Sequence, residues 1–189
     1  MEEEVLLISI KKIYIQCSVI SPMGNSSKQN ILRFQRFNIL LRLTIGDKIP
    51  SFCLKDQNGN IRRSDKFQKA LVLFFYPKDD TPGCTIEACG FRDKYDLFKI
   101  LGAEVWGISN GSAQSHLGFA NKNKLQYPLL CDQNNTLRKQ FGVPKKLGFI
   151  EGRVTYIVNS EGIIKHIFED LLNGPAHIKE AIKALKKIQ

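Results

Sequence analysis

The chain reads as an α/β domain, with a mixed central sheet and helices on both faces. Three observations predict it. Residues 70–76 are a continuous apolar and aromatic run, as expected of a strand covered on both faces, and residues 103–109 read as a second buried strand. Each is followed by a stretch in which apolar residues recur every three to four positions, the period of a helix packed on one face. Two further strand-like runs near the C-terminus are joined by a tight turn and followed by an amphipathic helix.

Each element has a local justification. Residues 1–44 stand apart: no acidic residue follows Glu2, Glu3 and Glu4 before Asp47, while six Lys or Arg and the serines Ser21, Ser26 and Ser27 fall within them. Low acid content, serine and scattered arginine resemble an organelle transit peptide. The three leading glutamates argue against that and against a secretory signal, and a start at Met23 or later is a further reading. The segment is expected to be a poorly ordered extension with an inert Cys17, and residues 45–189 to form the domain. Residues 49–56 read as extended, Asn58-Gly59 as a hairpin turn, and Ile61 as the start of the return strand. Residues 84–101 place Ile86, Cys89, Phe91, Tyr95, Leu97 and Phe98 at helical spacing, ended by Gly102. Residues 112–124 read as a helix capped by Ser112. Residues 127–131 read as a short strand, and 135–141 as a short helix stopped by Gly142. Residues 153–159 and 163–168 are strands around the turn Ser160-Glu161-Gly162. Residues 175–188 form a closing helix with Pro175 in its first turn. This alternation fits a thioredoxin-like core with an N-terminal hairpin addition.

Composition bounds the function. With 189 residues, 43% hydrophobic and 24% charged, the chain can bury one proper core. No run approaches the ~18–20 apolar residues of a membrane span, so no membrane partner is expected. The formal charge of +10 is spread over helices as lysine and reads as a solvated basic surface. Nucleic acid would need a clustered basic face with groove-reading elements, which the sequence lacks, and none is expected as a partner. Five widely spread cysteines do not make a secreted disulfide framework, and no paired Cys/His spacing suits zinc. A reducing, cytoplasmic setting is expected, or a plastid if residues 1–44 are a transit peptide. Cys53 and Cys131 read as small core hydrophobes, Trp106 as packing, and His116, His166 and His177 as surface or capping residues.

The chemistry concentrates in residues 77–90, PKDDTPGCTIEACG. Cys84 falls just after a buried strand and at a helix start, where unpaired N–H groups and the helix dipole favour a thiolate, the reactive form of the thiol. Thr81 lies three residues earlier on the incoming loop, where its hydroxyl can reach the sulfur or a bound oxygen. Pro77 and Pro82 stiffen that loop, and Gly83 lets the backbone approach a small ligand closely. Cys89 follows five residues on. Along an intact helix that step rises about 7.5 Å and turns about 140°, leaving the Cα atoms ~8–9 Å apart, beyond the ~7 Å limit for a disulfide. The two can pair only if the helix unwinds, and Gly90 weakens it there.

Residues 74–93, FFYPKDDTPGCTIEACGFRD, closely resemble the peroxiredoxins of the Q, or bacterioferritin-comigratory, type. Pro77, Thr81 and Cys84 meet the pattern P-x-x-x-[TS]-x-x-C, Cys89 the resolving position five residues on, and the block GRVTYIVNSEG places the family's site arginine at Arg153. Asn159 stands where many members carry aspartate, in a turn remote from chemistry. The resemblance spans about residues 45–189. It implies a thiol peroxidase needing no metal, haem or flavin, acting on hydrogen peroxide and alkyl hydroperoxides. Cys84 would attack the O–O bond and become a sulfenic acid. Thr81, Gly83 and Arg153 would bind the peroxide while Pro77 shields the site. Cys89 would resolve the sulfenic acid to an intramolecular disulfide that thioredoxin or a similar dithiol protein reduces, and the protein would be a monomer. Glu87 and Arg92 read equally as a supporting polar network or a solvated helix face. A general dithiol–disulfide oxidoreductase is the alternative, but it would want C-x-x-C rather than C-x4-C. A basic binding module ranks lower still.

Overall fold

The run at residues 70–76 has no polar face because it forms the middle of a five-stranded sheet. The computed structural model describes residues 42–146 and 148–188. The expectations for residues 1–41, Cys17 included, lie outside the described residues. The elements in chain order are β1 (Cys53–Lys55), β2 (Ile61–Arg63), β3 (Ala70–Phe75), α1 (Pro82–Asp93), α2 (Tyr95–Ile100), β4 (Ala103–Ser109), α3 (Ala113–Asn123), β5 (Leu129–Cys131), α4 (Thr136–Gln140), β6 (Lys145–Lys146), β7 (Ile150–Glu151), β8 (Val154–Val158), β9 (Ile164–Glu169) and α5 (Gly174–Ile188). The main sheet has the order β5-β4-β3-β8-β9. β3 runs parallel to β4 and antiparallel to β8, so the sheet is mixed, as the sequence predicts.

The period of two along β3 divides the core. Val72, Phe74 and Tyr76 face a cluster with Cys84, Ala88, Phe91, Phe119 and Ile178, from α1, α3 and α5. Leu71, Leu73 and Phe75 face the other side, with Trp106, Leu137, Phe141 and Tyr156. Phe91 of α1 stacks on Phe74 of β3, ring centroids 4.5 Å apart. Both rings are fully buried, worth roughly 1.5–3 kcal/mol each against exposure. The anticipated hairpin forms: β1 pairs antiparallel with β2 through a turn containing Gly59 at φ +81. Trp106 packs edge-on against Phe52 and Phe67 at 6.3 and 6.4 Å.

Three details differ from expectation. The helix expected over residues 84–101 begins at Pro82, which has no N–H to leave unpaired in a first turn. It also breaks at Lys94 (φ −109, ψ 10), beyond which α2 sets Phe98 against Phe91 at 5.6 Å. The β6–β7 hairpin has two residues per strand, too few for a sequence period to show. Ser112 caps α3 as predicted, accepting from Ser115 N at 3.2 Å.

Candidate active site

β3 carries the chain to one end of the sheet, where Pro77 halts it and a loop leads into α1. Thr81 is the N-cap of α1 in extended conformation (φ −82, ψ 145). Cys84 is the third helical residue, 1% exposed. The register supplies its partner from across the sheet. Phe75 pairs with Val154, so Arg153, one step before β8, arrives opposite Tyr76 at the root of the loop. Every nitrogen of the guanidinium is committed. Nη2 donates to Cys84 Sγ at 3.4 Å, Nε donates to Leu171 O at 3.0 Å, and Nη1 forms an ion pair with Glu87 Oε2. A guanidinium and a helix N-terminus thus converge on one sulfur, and both favour negative charge there.

Gly83 makes room for this contact. A Cβ at that position would lie 3.3 Å from Arg153 Nη2, so the group that approaches the loop closely is the arginine itself. Thr81 remains on the loop, with its hydroxyl donating to Lys78 O at 3.2 Å rather than to the sulfur. Pro77 is half-buried beside them.

Glu87 belongs to a buried network, not a solvated face. Burial pushes its carboxyl up to about 8, against the pull of Arg153 beside it. For Arg153 burial acts downward, and the Glu87 and Cys84 charges outweigh it and raise the guanidinium. Behind Glu87 stands His177 of α5, also fully buried. Its Nε2 lies 2.8 Å from Asp170 O and its Nδ1 2.8 Å from Thr155 Oγ1. Burial drives this imidazole down to about 4, so the ring is neutral at ordinary pH. A carbonyl oxygen only accepts, so Nε2 carries the hydrogen, and Nδ1 accepts from the Thr155 hydroxyl.

A second cluster fastens the loop. Asp79 Oδ1 accepts from Tyr76 OH at 2.7 Å. Its Oδ2 accepts from Ser115 Oγ at 2.6 Å and pairs with His116 Nδ1 at 2.7 Å. Burial raises the Asp79 carboxyl, but the hydrogen bonds from His116, Ser115 and Tyr76 outweigh it and hold it below its ordinary value. Asp80 follows at φ +57, and Lys122 reaches it at 2.8 Å. Both aspartates therefore tie the loop to α3. Buried Arg138 of α4 adds a third fastening, donating to Tyr76 O at 2.7 Å and Gly152 O at 2.8 Å. It clamps the strand ends that carry the loop and Arg153.

Cys89 sits half-buried on the same helix, its Sγ 3.7 Å from Asn123 Oδ1, and Arg92 Nη1 donates to Asn123 O at 2.7 Å. Both cysteines are free thiols within one intact helix. Gly90 has a packing role besides its low helix propensity, since a Cβ there would lie 2.9 Å from Ile178 Cδ1.

The sequence missed Asp79, Arg138, His116 and His177 as parts of this centre. The two histidines are fully buried, which corrects the surface or capping role expected of them; only His166 is partly exposed, 3.5 Å from Glu180. Local sequence shows a histidine on a helix but not the carboxylate that a distant element brings to it. Cys53 is exposed rather than a core residue, because β1 belongs to the added hairpin and not to the main sheet.

Comparison with known proteins matches residues 45–167 to the AhpC/TSA family. Peroxiredoxin Q, chloroplastic, of Sedum lineare is 41% identical over 168 residues, covering 88% of this chain and 90% of that protein. Its namesake in Arabidopsis thaliana is 44% identical over 171 residues, covering 89% and 76%. Among solved structures, peroxidoxin BcpB of Mycobacterium tuberculosis superposes with a TM-score of 0.73 at 34% identity, covering 78% of this chain and 99% of that one.

Proposed function

The chain belongs to the AhpC/TSA family, among the peroxiredoxin Q proteins, and is therefore a thiol peroxidase; on that premise we propose that Cys84 is its peroxidatic nucleophile. The observation that carries this reading is the Arg153 Nη2 contact of 3.4 Å with Cys84 Sγ at the start of α1. The thiolate attacks the terminal oxygen of hydrogen peroxide or an alkyl hydroperoxide. The S–O bond forms as the O–O bond breaks, the sulfur is oxidised to a sulfenic acid, and the leaving hydroxide or alkoxide takes a proton to become water or an alcohol. Arg153 and the N–H groups beside Gly83 stabilise the charge moving onto that oxygen. Thr81 Oγ1, whose hydrogen points to Lys78 O, keeps lone pairs free to accept from the hydroperoxide O–H. Pro77 closes one side of the site.

Cys89 then attacks the sulfenic sulfur, releasing water and leaving an intramolecular disulfide. The ~8–9 Å helical separation requires the first turns of α1 to unwind for this step. Thioredoxin or a similar dithiol protein restores both thiols. Since one helix carries both cysteines, a monomer completes the cycle. The chloroplastic names of the relatives support the plastid reading over the cytoplasmic one. Residues 1–44 would then be dispensable for the reaction.

The test is stopped-flow consumption of hydrogen peroxide by the reduced protein, with mass spectrometry of the products. Cys84→Ser is expected to abolish the fast reaction. Cys89→Ser is expected to allow one turnover ending in a trapped sulfenic acid. Fast consumption by Cys84→Ser would overturn the assignment.

A further inference from the structure

Arg153 divides one positive charge between two buried groups, Glu87 and Cys84. Among the described residues Glu87 makes no further hydrogen bond to balance that division. Its Oε1 is buried without a hydrogen-bond partner among the described residues, and it faces His177 Nδ1 at 3.6 Å. The ring explains the orphan. With Nε2–H given to Asp170 O and Nδ1 accepting from Thr155 Oγ1, the ring presents a lone pair, not a proton, toward Glu87 Oε1.

The ring and the guanidinium are also aimed from one place. Asp170 O holds His177 Nε2, and the next carbonyl, Leu171 O, holds Arg153 Nε. That short segment is itself pinned by Asp170 Oδ1, which accepts from Leu172 N and Asn173 N, both at 3.0 Å. Gly174 lets α5 abut α1 closely; a Cβ there would lie 3.1 Å from Glu87 Cβ and 3.2 Å from Gly83 O.

We propose that His177 is a positioning residue of the peroxidatic site: held by Thr155 and Asp170 with its proton on Nε2, it denies Glu87 a second hydrogen bond and so fixes Arg153 in its aim at Cys84. The proposal rests on the reading of Cys84 as the nucleophile. A proton on Nδ1 would draw Glu87 Oε1 to the ring, displace the Thr155 hydroxyl, and slacken the tether on Arg153 Nη1. Misaiming a catalytic group by about 1 Å costs on the order of 100-fold in rate. The charged groups facing the ring are Glu87 from α1, Arg153 from the start of β8 and Asp170 from the β9–α5 loop. Phe168 of β9 covers it edge-on at 4.8 Å, while Glu180 on α5 is engaged with His166 and Lys183. Arg153 and burial oppose a second proton on the ring, and Asp170 favours one.

Two measurements test it. Nitrogen-15 NMR of histidine-labelled, reduced protein at pH 7 should show His177 protonated at Nε2 and bare at Nδ1. A proton on Nδ1 at pH 7 would overturn the proposal. Thr155→Val keeps a β-branched residue in β8 and removes the donor that occupies Nδ1. Its acid limb in the peroxide rate profile should move to higher pH by about half to one unit, and a profile superimposable on wild type would refute the role. The tautomer readout does not depend on which cysteine reacts, so a failure of the Cys84 assignment, seen in Cys84→Ser, remains distinct from a failure here.

Discussion

Replacing Arg153 by Met separates two effects that the geometry combines. The first is on the fold. Glu87 is fully buried and its one ion-pairing guanidinium is Arg153. Removing one partner of a buried pair strands the other, at a cost of about 3–5 kcal/mol. For a domain of this size that lowers Tm by roughly 6–20 °C. The second effect is on chemistry. At 3.4 Å from the sulfur, a unit charge is worth about 5 kcal/mol at an effective dielectric of ~20, an upper bound on what Arg153 contributes to the charged sulfur. Loss of a comparable charge-stabilising donor lowers rates by about 100- to 1000-fold. Adding Glu87→Gln replaces the stranded acid with a neutral amide of similar shape. Thermal melts and stopped-flow peroxide rates on the two variants tell the effects apart. Arg153→Met should lose both stability and rate, while Arg153→Met/Glu87→Gln should regain most of the Tm and none of the rate. If the double variant recovers its rate along with its Tm, Arg153 supports the fold alone, and the reasoning about the sulfur is wrong.

Further outcomes are expected. In the oxidised protein, amide exchange should accelerate over residues 82–91 while α3 keeps its protection. Gly90→Ala should slow disulfide formation, because it strengthens the helix by up to about 1 kcal/mol if the end of Ile178 shifts to accept the new methyl; equal protection in both redox states would contradict the unwinding step. Stability should also depend on pH through two buried groups. The folded-state value of His177, about 4, lies below its ordinary 6.5, so the unfolded chain takes up the proton first. That contribution, about 3 kcal/mol, is present above about pH 6.5 and lost as pH falls toward 4. Glu87 acts in the opposite sense: its value is raised, so its contribution is present below the ordinary carboxylate range and lost as pH rises through about 8. Between about pH 4.5 and 6.5 the two slopes oppose, so Tm measured from pH 4 to 9 should hold a plateau there and fall above it, and His177→Gln should turn the plateau into a steady decline with rising pH; an unchanged profile would remove His177 as a cause.

Local sequence determined much of this protein. The unbroken apolar run of β3, the proline and glycine around Cys84, the Asn58-Gly59 turn and the Ser112 cap are short-range signals, and each has a cause within a few residues. They suffice to place one cysteine at a helix start with a second one out of reach on the same helix. The resemblance in two short blocks extended this to Arg153, which by itself reads as a surface charge. Tertiary structure decided the rest. The β3–β8 register carries Arg153 across a separation of 69 residues to the sulfur. Packing of α5 on α1 buries His177 behind Glu87, α3 brings His116 to Asp79, and α4 brings Arg138 to the strand ends. Periodicity tells which face of an element is covered, but not what covers it. A buried carboxylate, a neutral imidazole and an arginine aimed at a sulfur are each set by the group opposite, and that group is supplied by an element far away in the chain.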